Sequence, residues 1–259
     1  MPSNVTRIMK ELDNPDITVS TIADFIGLDQ ALAALLLQMS NSSSLGYGHN
    51  CTSLNEAVMR IGMKRLRSVL MASTAMNSYN QKLNGYRLGA GELWQHSLAT
   101  AMACEWLAKA LSYPDPEEAY VSGLLHDIGK LLLDQFVLTD YTRMVDFIQQ
   151  YNIPLWQVEE KLIGVDHAKV GGLIAERWGF PPILIDAIRF HHYPSFARGL
   201  PKLPAIVNLG NSIVGTKIQS RSALFSCEIH PSTFEILSLN PERVERLGEG
   251  LKKSISGRP

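Results

Sequence analysis

The sequence has few of the features that place a protein outside the cell or in a membrane. Its three cysteines, Cys51, Cys104 and Cys227, are far apart and form no Cys-x-x-Cys pair, so they predict neither a disulfide framework nor a cysteine-based zinc site. Residues 1–11 lack the pattern of a signal peptide. No apolar run reaches the ~18 residues that a membrane-spanning helix needs. We therefore expect a cytoplasmic protein that does not bind membranes.

An excess of charge of either sign is also missing. Lys and Arg number 24 against 25 Asp and Glu, which gives a formal net charge of -1. This balance provides no whole-protein attraction to nucleic acid, and no zinc-finger or basic-region motif is present, so nucleic-acid binding is not expected. The chain also lacks a phosphate-binding P-loop and the Gly-x-Ser-x-Gly elbow of serine hydrolases. These absences argue against P-loop and serine-based catalysis.

Helical periodicity is present along almost the whole chain. One stripe at the 3.6-residue period contains Leu28, Leu32, Leu35, Leu36 and Met39. Pro-Glu-Glu at residues 116–118 is typical of a helix start, with proline in the first turn and acids favoured by the helix dipole. Strand signals are thin, because the Asn84-Gly85 pair lacks alternating apolar flanks. The pattern predicts an all-α fold.

A turn-rich segment at residues 80–91 is the best internal boundary. It predicts an N-terminal helical subdomain over residues 1–80 and a helical core over residues 81–219. Residues 220–259 are predicted to form a C-terminal helical extension, in which no residue pattern indicates chemistry.

Five of the seven histidines lie on four separate helical segments of the core. They are His96, His126, His167, His191 and His192. Asp127 follows His126 directly after an apolar run, so its carboxylate needs a buried partner. His96 alone is explained by packing and His167 by helix capping at the Asp166-His167 pair, whereas the adjacent His191 and His192 point in different directions on a helix and rarely both serve packing. As a set they are typical of a metal site in a helical bundle, and imidazoles with one carboxylate favour iron, manganese or zinc.

At these residues the chain resembles the HD superfamily of metal-dependent phosphohydrolases. The pattern of His96, His126-Asp127, His167 and His191-His192 is shared by the HD-GYP phosphodiesterases and the HDOD domains. Glu92 lies four residues before His96, where HD-GYP proteins carry an additional acidic ligand. Lys130 lies four residues after His126, where that family places a lysine at the metal centre.

The N-terminal half resembles the HDOD domains more closely than the HD-GYP enzymes. The segment Asp-Ile-Thr-Val-Ser-Thr-Ile-Ala at residues 16–23 is similar to the HDOD segment in which a short helix follows an acidic turn. Further matches are Ser-Asn-Ser-Ser at 40–43, Ser-Leu-Asn-Glu-Ala-Val at 53–58, Gly-Leu-Leu-His-Asp-Ile-Gly at 123–129 and Trp-Gly-Phe-Pro at 178–181. The chain is identified as a member of the HDOD family over residues 3–215. The resemblance implies a multi-helix HD-type bundle with an N-terminal helical subdomain.

Two departures from the HD enzymes bear on function. HD enzymes close the metal site with a later aspartate, and the matching segment here offers Asn211, with Asn208 one turn away as the alternative. An asparagine provides a carbonyl oxygen without negative charge, which weakens the expected binding of a second metal. The Gly-Tyr-Pro loop of HD-GYP enzymes is absent, so cyclic diguanylate is not indicated as a substrate.

The resemblance implies two alternative functions. The first is a regulatory or signal-transduction protein of bacterial type that binds metal and a protein partner in a signalling pathway. The second is a metal-dependent phosphohydrolase acting on a nucleotide or another phosphoester. Both imply a divalent transition metal (iron, manganese or zinc), binuclear as in the HD enzymes. The implied ligands are Glu92, His96, His126, Asp127, His167, His191, His192 and Asn211, and the implied catalytic residues are Asp127 and Lys130.

Overall fold

The structure is a computed structural model of the chain. It describes residues 8–28, 30–40, 51–63, 65–66, 69–70, 82–137, 141–197, 199–218, 225 and 227–256. The chain divides into two compact units, the first made of Met1–Asn77 with Ser254–Pro259 and the second of Ser78–Lys253. The sequence-based division into residues 1–80, 81–219 and 220–259 stays a prediction.

The first unit contains three mutually packed helices, α1 (Val19–Gly27), α2 (Gln30–Ser40) and α3 (Leu54–Ile61). Thr18 caps α1, because its hydroxyl accepts a hydrogen bond from the backbone N–H of Thr21 at 3.1 Å. On the predicted apolar stripe Leu32, Leu36 and Met39 are buried. Leu28 is exposed instead, because α1 ends there and the stripe continues on the next helix.

The other described α-helices lie in the second unit, except that the last of them continues past the end of this unit at Lys253 to Ser256. They are α4 (Glu92–Ala110), α5 (Pro116–Leu125), α6 (Lys130–Val137), α7 (Tyr141–Tyr151), α8 (Leu155–Ile163), α9 (His167–Arg177), α10 (Pro182–Arg189), α11 (Lys202–Ile213), α12 (Pro231–Ile236) and α13 (Pro241–Ser256). The described residues contain no β-strand, and an isolated bridge between Leu83 and Leu88 is their one β-type pairing. The all-α prediction is confirmed. None of the described helices is long and apolar enough to cross a membrane.

Helices α4, α5 and α11 form the centre of the second unit and pack against one another. Two glycines allow this close approach. A Cβ on Gly123 would lie 2.9 Å from the Cα of Ala101, and a Cβ on Gly210 would lie 2.7 Å from the Sγ of Cys104. The predicted helix start at residue 116 is confirmed, with the Asp115 carboxylate accepting from the backbone N–H groups of Glu117 and Glu118.

Helices α6, α9 and α10 form a second packed group, because α9 contacts both of the others. Asp166 caps α9 by accepting from the backbone N–H of Lys169 at 2.8 Å, as the sequence predicts. Gly129, in the turn between α5 and α6, touches the start of α9, and a Cβ there would lie 1.9 Å from the carbonyl oxygen of His167. This contact sets the turn that carries His126 and Asp127 directly against His167.

Candidate metal centre

The structure brings the five predicted histidines and Asp127 together in the interior of the second unit. His96 lies in the second turn of α4, His126 and Asp127 in the turn after α5, His167 at the first position of α9, and His191 and His192 in the turn after α10. All six side chains are buried. Helix ends and one helical turn therefore present the whole set to one interior region.

Two groups of three side chains are close enough to hold a metal ion each. The first is His96, His126 and Asp127, and the second is His167, His191 and His192. Within each group the candidate ligand atoms lie within 4.8 Å of one another. Imidazole nitrogens with carboxylate oxygen are the donors that zinc, iron and manganese take in proteins.

Asp127 lies between the two groups. Its Oδ2 atom is 3.4 Å from the Nε2 of His126, while its Oδ1 atom is 3.1 Å from the Nε2 of His167. Lys130 donates a hydrogen bond from Nζ to Oδ2 at 2.7 Å. Burial alone raises the pKa of Asp127, but the neighbouring His126, Lys130 and His167 together outweigh burial and bring that pKa well below its usual value. Asp127 is therefore an ionised carboxylate with one oxygen directed to each group.

Backbone carbonyls set the tautomers of His126 and His191. The Nδ1 of His126 lies 2.8 Å from the carbonyl oxygen of Gly123, and the Nδ1 of His191 lies 2.7 Å from that of Ile188. A carbonyl oxygen only accepts, so Nδ1 carries the proton and the lone pair is on Nε2. Burial lowers the pKa of both rings, which favours their neutral form.

Several buried acceptor atoms at this centre have no hydrogen-bond partner in the described part of the chain, and they are of the kinds that bind metal ions in proteins. Among the described residues, the Nε2 atoms of His126 and His191 and the Oδ1 of Asn211 are buried without a hydrogen-bond partner. Buried polar atoms in native proteins nearly always have partners, and all three of these atoms are acceptors. A cation satisfies several acceptors at once, so the donor set fits a metal.

His167 is supported by a carboxylate. Its Nδ1 and its backbone N–H both contact the Oε2 of Glu159, at 2.6 Å and 2.9 Å. The other oxygen of Glu159 accepts a hydrogen bond from the hydroxyl of Tyr86 at 2.7 Å. Burial alone lowers the pKa of His167, but the charge of Glu159 and the hydrogen bonds with Asp127 and Glu159 together outweigh burial and raise that pKa to about 9. Glu159 thus holds the Nδ1 side of the His167 ring, while Nε2 lies 3.1 Å from Asp127 Oδ1 and 3.0 Å from the Nε2 of His192.

Phe225 and Cys227, which follow α11 in the chain, cover the centre. The ring of Phe225 stacks on that of His96, with centroids 4.2 Å apart, and the Sγ of Cys227 lies 3.7 Å from the Nδ1 of His192. With Lys130, Leu155, Trp156, His167, His192 and Asn211, these two residues line a cavity of about 10 Å³. A cavity of this size accommodates a water-sized body. The sequence indicated no chemistry after residue 220, whereas Phe225 and Cys227 contact His96 and His192.

The structure distinguishes Asn211 from Asn208. Asn211 lines the cavity and its Oδ1 has no partner among the described residues. Asn208 is occupied elsewhere, because its Oδ1 accepts from the backbone N–H of His230 at 3.0 Å and from the hydroxyl of Thr233 at 2.7 Å. Asn208 therefore holds the C-terminal segment in place, and Asn211 is the asparagine that faces the histidines.

Glu92 lies outside both groups, contrary to the expectation from the resemblance. It is exposed at the first position of α4, where its Oε2 accepts from the backbone N–H of Gly89 at 3.0 Å. A carboxylate at a helix start is stabilised by the N–H groups there, and this local contact turns Glu92 away from the imidazoles.

Sequence reasoning missed Glu159, Tyr86 and Phe225. A signal for Glu159 exists, since it lies between Leu155 and Leu162 on the apolar stripe of α8, where a charged residue needs a buried role. Tyr86 and Phe225 carry no such signal, because each is a single aromatic residue outside a helical stripe.

The comparisons with known proteins agree with this fold. A family model of the HDOD domain matches residues 1–194. An uncharacterized protein of Treponema pallidum (strain Nichols) is 30% identical over 193 residues, which are 74% of this chain and 37% of that protein. The chain therefore spans little more than a third of the length of that relative.

Two solved structures are similar over almost the whole chain. An HDOD domain protein of unknown function from Geobacter sulfurreducens has 25% identity and a TM-score of 0.72, covering 99% of this chain and 83% of that one. A protein from Shewanella amazonensis SB2B that carries a phosphohydrolase assignment has 25% identity and a TM-score of 0.70, covering 98% of this chain and 89% of that one. Since the family model covers three quarters of the sequence, the chain belongs to the HDOD domain family.

Proposed function

We propose that this protein is a metal-dependent regulatory module whose second unit is held in its functional state by a divalent transition metal centre. The observation that carries the proposal is the set of buried acceptors, His126 Nε2, His191 Nε2 and Asn211 Oδ1, which have no hydrogen-bond partners among the described residues. His96, His126 and Asp127 would hold one ion, and His167, His191 and His192 a second, with Asp127 shared. The partner that responds to this state would be a signalling protein.

Regulation is favoured over turnover because the centre is closed. A catalytic metal site keeps a position open for substrate, yet the cavity of about 10 Å³ cannot accept a phosphoester. Phe225 and Cys227 form part of its wall, and both are buried. A metal in such a site stabilises the fold, since ligands from four segments are brought together by one centre.

The alternative function is a metal-dependent phosphohydrolase. Lys130 favours it, because this residue lines the cavity and its Nζ contacts Asp127 at 2.7 Å, a position from which it could pair with a phosphate oxygen. The phosphohydrolase assignment of the Shewanella amazonensis relative is consistent with this chemistry. A bound metal would supply Lewis-acid activation of the phosphoryl group. Asp127 would hold the ions, and the side chain of Phe225 would have to move to admit substrate.

Metal content tests the proposal. Protein purified without a histidine tag is analysed for iron, manganese and zinc, and its melting temperature is measured before and after chelation. We expect near-stoichiometric metal and a lower melting temperature after chelation, and His126→Ala should lose the ion of the first group. The matched control is His230→Ala, which changes a partly exposed imidazole outside both groups. Wild-type protein that takes up no metal under any loading condition contradicts the proposal.

Turnover separates the two functions. Metal-loaded wild type, Lys130→Met and Phe225→Ala are assayed against a panel of phosphodiesters, phosphomonoesters and nucleotides. The regulatory module predicts no turnover by the wild type. Metal-dependent turnover that is lost in Lys130→Met would establish the hydrolase instead. Turnover by Phe225→Ala alone would identify a competent centre that the wild-type Phe225 side chain keeps closed.

A further inference from the structure

The two metal-ligand groups differ in charge. The first group contains Asp127, whose Oδ2 lies 3.4 Å from the Nε2 of His126. The second group, His167, His191 and His192, consists of imidazoles alone and shares only the Oδ1 of Asp127, 3.1 Å from the Nε2 of His167. Asn211, which lines the cavity beside it, adds an oxygen without charge. A divalent ion in the second group therefore has less negative charge in direct contact.

Glu159 supplies a negative charge behind the second group. Its Oε2 accepts from the Nδ1 of His167 at 2.6 Å, and its side chain is fully buried. The corresponding partners of His126 and His191 are neutral backbone carbonyls. A carboxylate on the outer nitrogen of an imidazole makes the inner nitrogen a stronger metal ligand than a carbonyl does. His167 is thus a more basic ligand than His126 or His191.

Tyr86 and the turn around it keep this carboxylate in place. The hydroxyl of Tyr86 donates to Glu159 at 2.7 Å, and its backbone N–H donates to the Oδ1 of Asp134 at 3.0 Å. Gly85 allows the turn to reach α6, because a Cβ there would lie 1.8 Å from the carbonyl oxygen of Asp134. No lysine or arginine of the described chain pairs with Glu159. Its buried charge needs a compensating positive charge, which the protonated imidazole of His167 supplies and which a metal bound at that imidazole would supply in its place.

We propose that Glu159, held by Tyr86, is the positioning residue that enables the second group (His167, His191 and His192) to hold a second metal ion. The charge of Glu159 compensates for Asn211, which stands where the HD enzymes have an aspartate ligand. This inference rests on the proposed metal centre. Metal binding by the second group therefore requires the Glu159 carboxylate, whereas metal binding by the first group does not, because the first group does not contact Glu159.

The test compares Glu159→Gln with Glu160→Gln. Glutamine keeps the shape of residue 159 and removes its charge. Glu160 is the adjacent carboxylate, but it is exposed and pairs with Lys169, so its substitution controls for the loss of an acid from α8. Metal per chain is measured by elemental analysis after equilibration with Mn²⁺, and the manganese EPR signal reports whether two ions are exchange-coupled.

We expect two Mn²⁺ ions per chain and a coupled signal in the wild type and in Glu160→Gln. In Glu159→Gln the second ion should bind about 10–100-fold more weakly, leaving the signal of an isolated ion while the first ion binds as before. Tyr86→Phe should weaken the second ion in the same direction and by less. If Glu159→Gln does not fold, Tyr86→Phe decides the matter by the same selective loss.

Two ions bound with wild-type affinity by Glu159→Gln, or by a folded Tyr86→Phe when Glu159→Gln is unfolded, would overturn the inference and leave the metal centre intact. Equal weakening of both ions would overturn it as well, since a merely structural role has no reason to affect one group. A wild type without metal would instead refute the proposed function itself.

Discussion

At the scale of single residues, the decisive feature is which polar atoms have partners. Asn208 and Asn211 lie one helical turn apart, and both are buried. Asn208 uses its oxygen for His230 and Thr233, whereas the oxygen of Asn211 has no partner among the described residues. Chemically identical side chains on one helix therefore have different functions, one in fixing the C-terminal segment and one at the candidate centre.

Asn211→Asp should strengthen metal binding. The substitution places a negative charge beside His167 and His192, so the affinity for metal should rise on the order of tenfold. Changes of this size are typical when a hydrogen-bond partner of a metal ligand is altered. Without metal the new charge is buried and unpaired, so the melting temperature should fall. Calorimetric titration and thermal melts with and without metal measure both effects.

The matched control for this prediction is Asn208→Asp. The amide nitrogen of Asn208 donates a hydrogen bond to the carbonyl oxygen of Glu228 at 3.5 Å, and a carboxylate has no proton to donate there. We expect loss of stability with and without metal and no gain in affinity. A gain in affinity by Asn208→Asp and none by Asn211→Asp would reverse the assignment of the two asparagines.

The histidine pKa values predict how the stability of the chelated protein depends on pH. Burial lowers the pKa of His191 and His192 well below the ordinary value, so the unfolded chain binds more protons than the folded one in acid, and stability falls as the pH drops below about 6.5. The pKa of His167 is raised to about 9, so its contribution is complete below about 6.5 and is lost as the pH rises through 9. Melting temperatures of chelated protein should therefore be highest near pH ~6.5–7. A curve that rises steadily from about pH 6 to about pH 9 would contradict these assignments.

At the scale of helices, contacts between helix ends assemble the centre. His126, Asp127, His191 and His192 all follow the last residue of a helix, and His167 is the first residue of one. The packing of neighbouring helices sets the direction of side chains at such positions. For His167, the contact between Gly129 and the start of α9 has this role.

Gly129→Ala should separate the two ligand groups. Its Cβ would lie 1.9 Å from the carbonyl oxygen of His167 and 2.7 Å from the backbone nitrogen of Gly171, so backbone must move. The expected destabilisation is about 1–3 kcal/mol or more, with metal affinity lost in parallel. Gly199→Ala is the control, because nothing lies within 4 Å of its Cβ position, and it should change stability by less than about 0.5 kcal/mol. Equal denaturation midpoints for the two variants would contradict the proposed role of this contact.

The helices and the histidine cluster could be predicted from sequence because they depend on local patterns. The helix starts at residues 116 and 167 follow from capping chemistry, and the histidines were recognisable from their spacing and family resemblance. Glu92 lies outside both ligand groups, because the local N–H of Gly89 competes for its carboxylate, and its role as a metal ligand stays a prediction. Phe225 and Cys227 could not be found, since their approach to His96 and His192 depends on how the chain returns after α11.

At the scale of the whole molecule, the chain contains two compact units, and all six candidate ligands belong to the second, Ser78–Lys253. A ligand that binds only the folded state stabilises it by an amount set by its concentration relative to Kd, about 2.7 kcal/mol at a hundredfold excess over Kd. Because the ligands come from four separate segments, this stabilisation applies to the packing of α4, α5, α9 and α10 together.

Removal of metal should therefore affect the two units differently. Hydrogen exchange of chelated and metal-loaded protein is compared for α4, α5, α9 and α10 in the second unit and for α1 and α3 in the first. We expect faster exchange after chelation in the second set and little change in the first, because the first unit contributes none of the candidate ligands. His126→Ala should show the fast pattern with or without added metal, since its first ligand group is incomplete. Equal loss of protection in both units would mean that metal acts on the protein by some route other than the centre formed by these five histidines and Asp127.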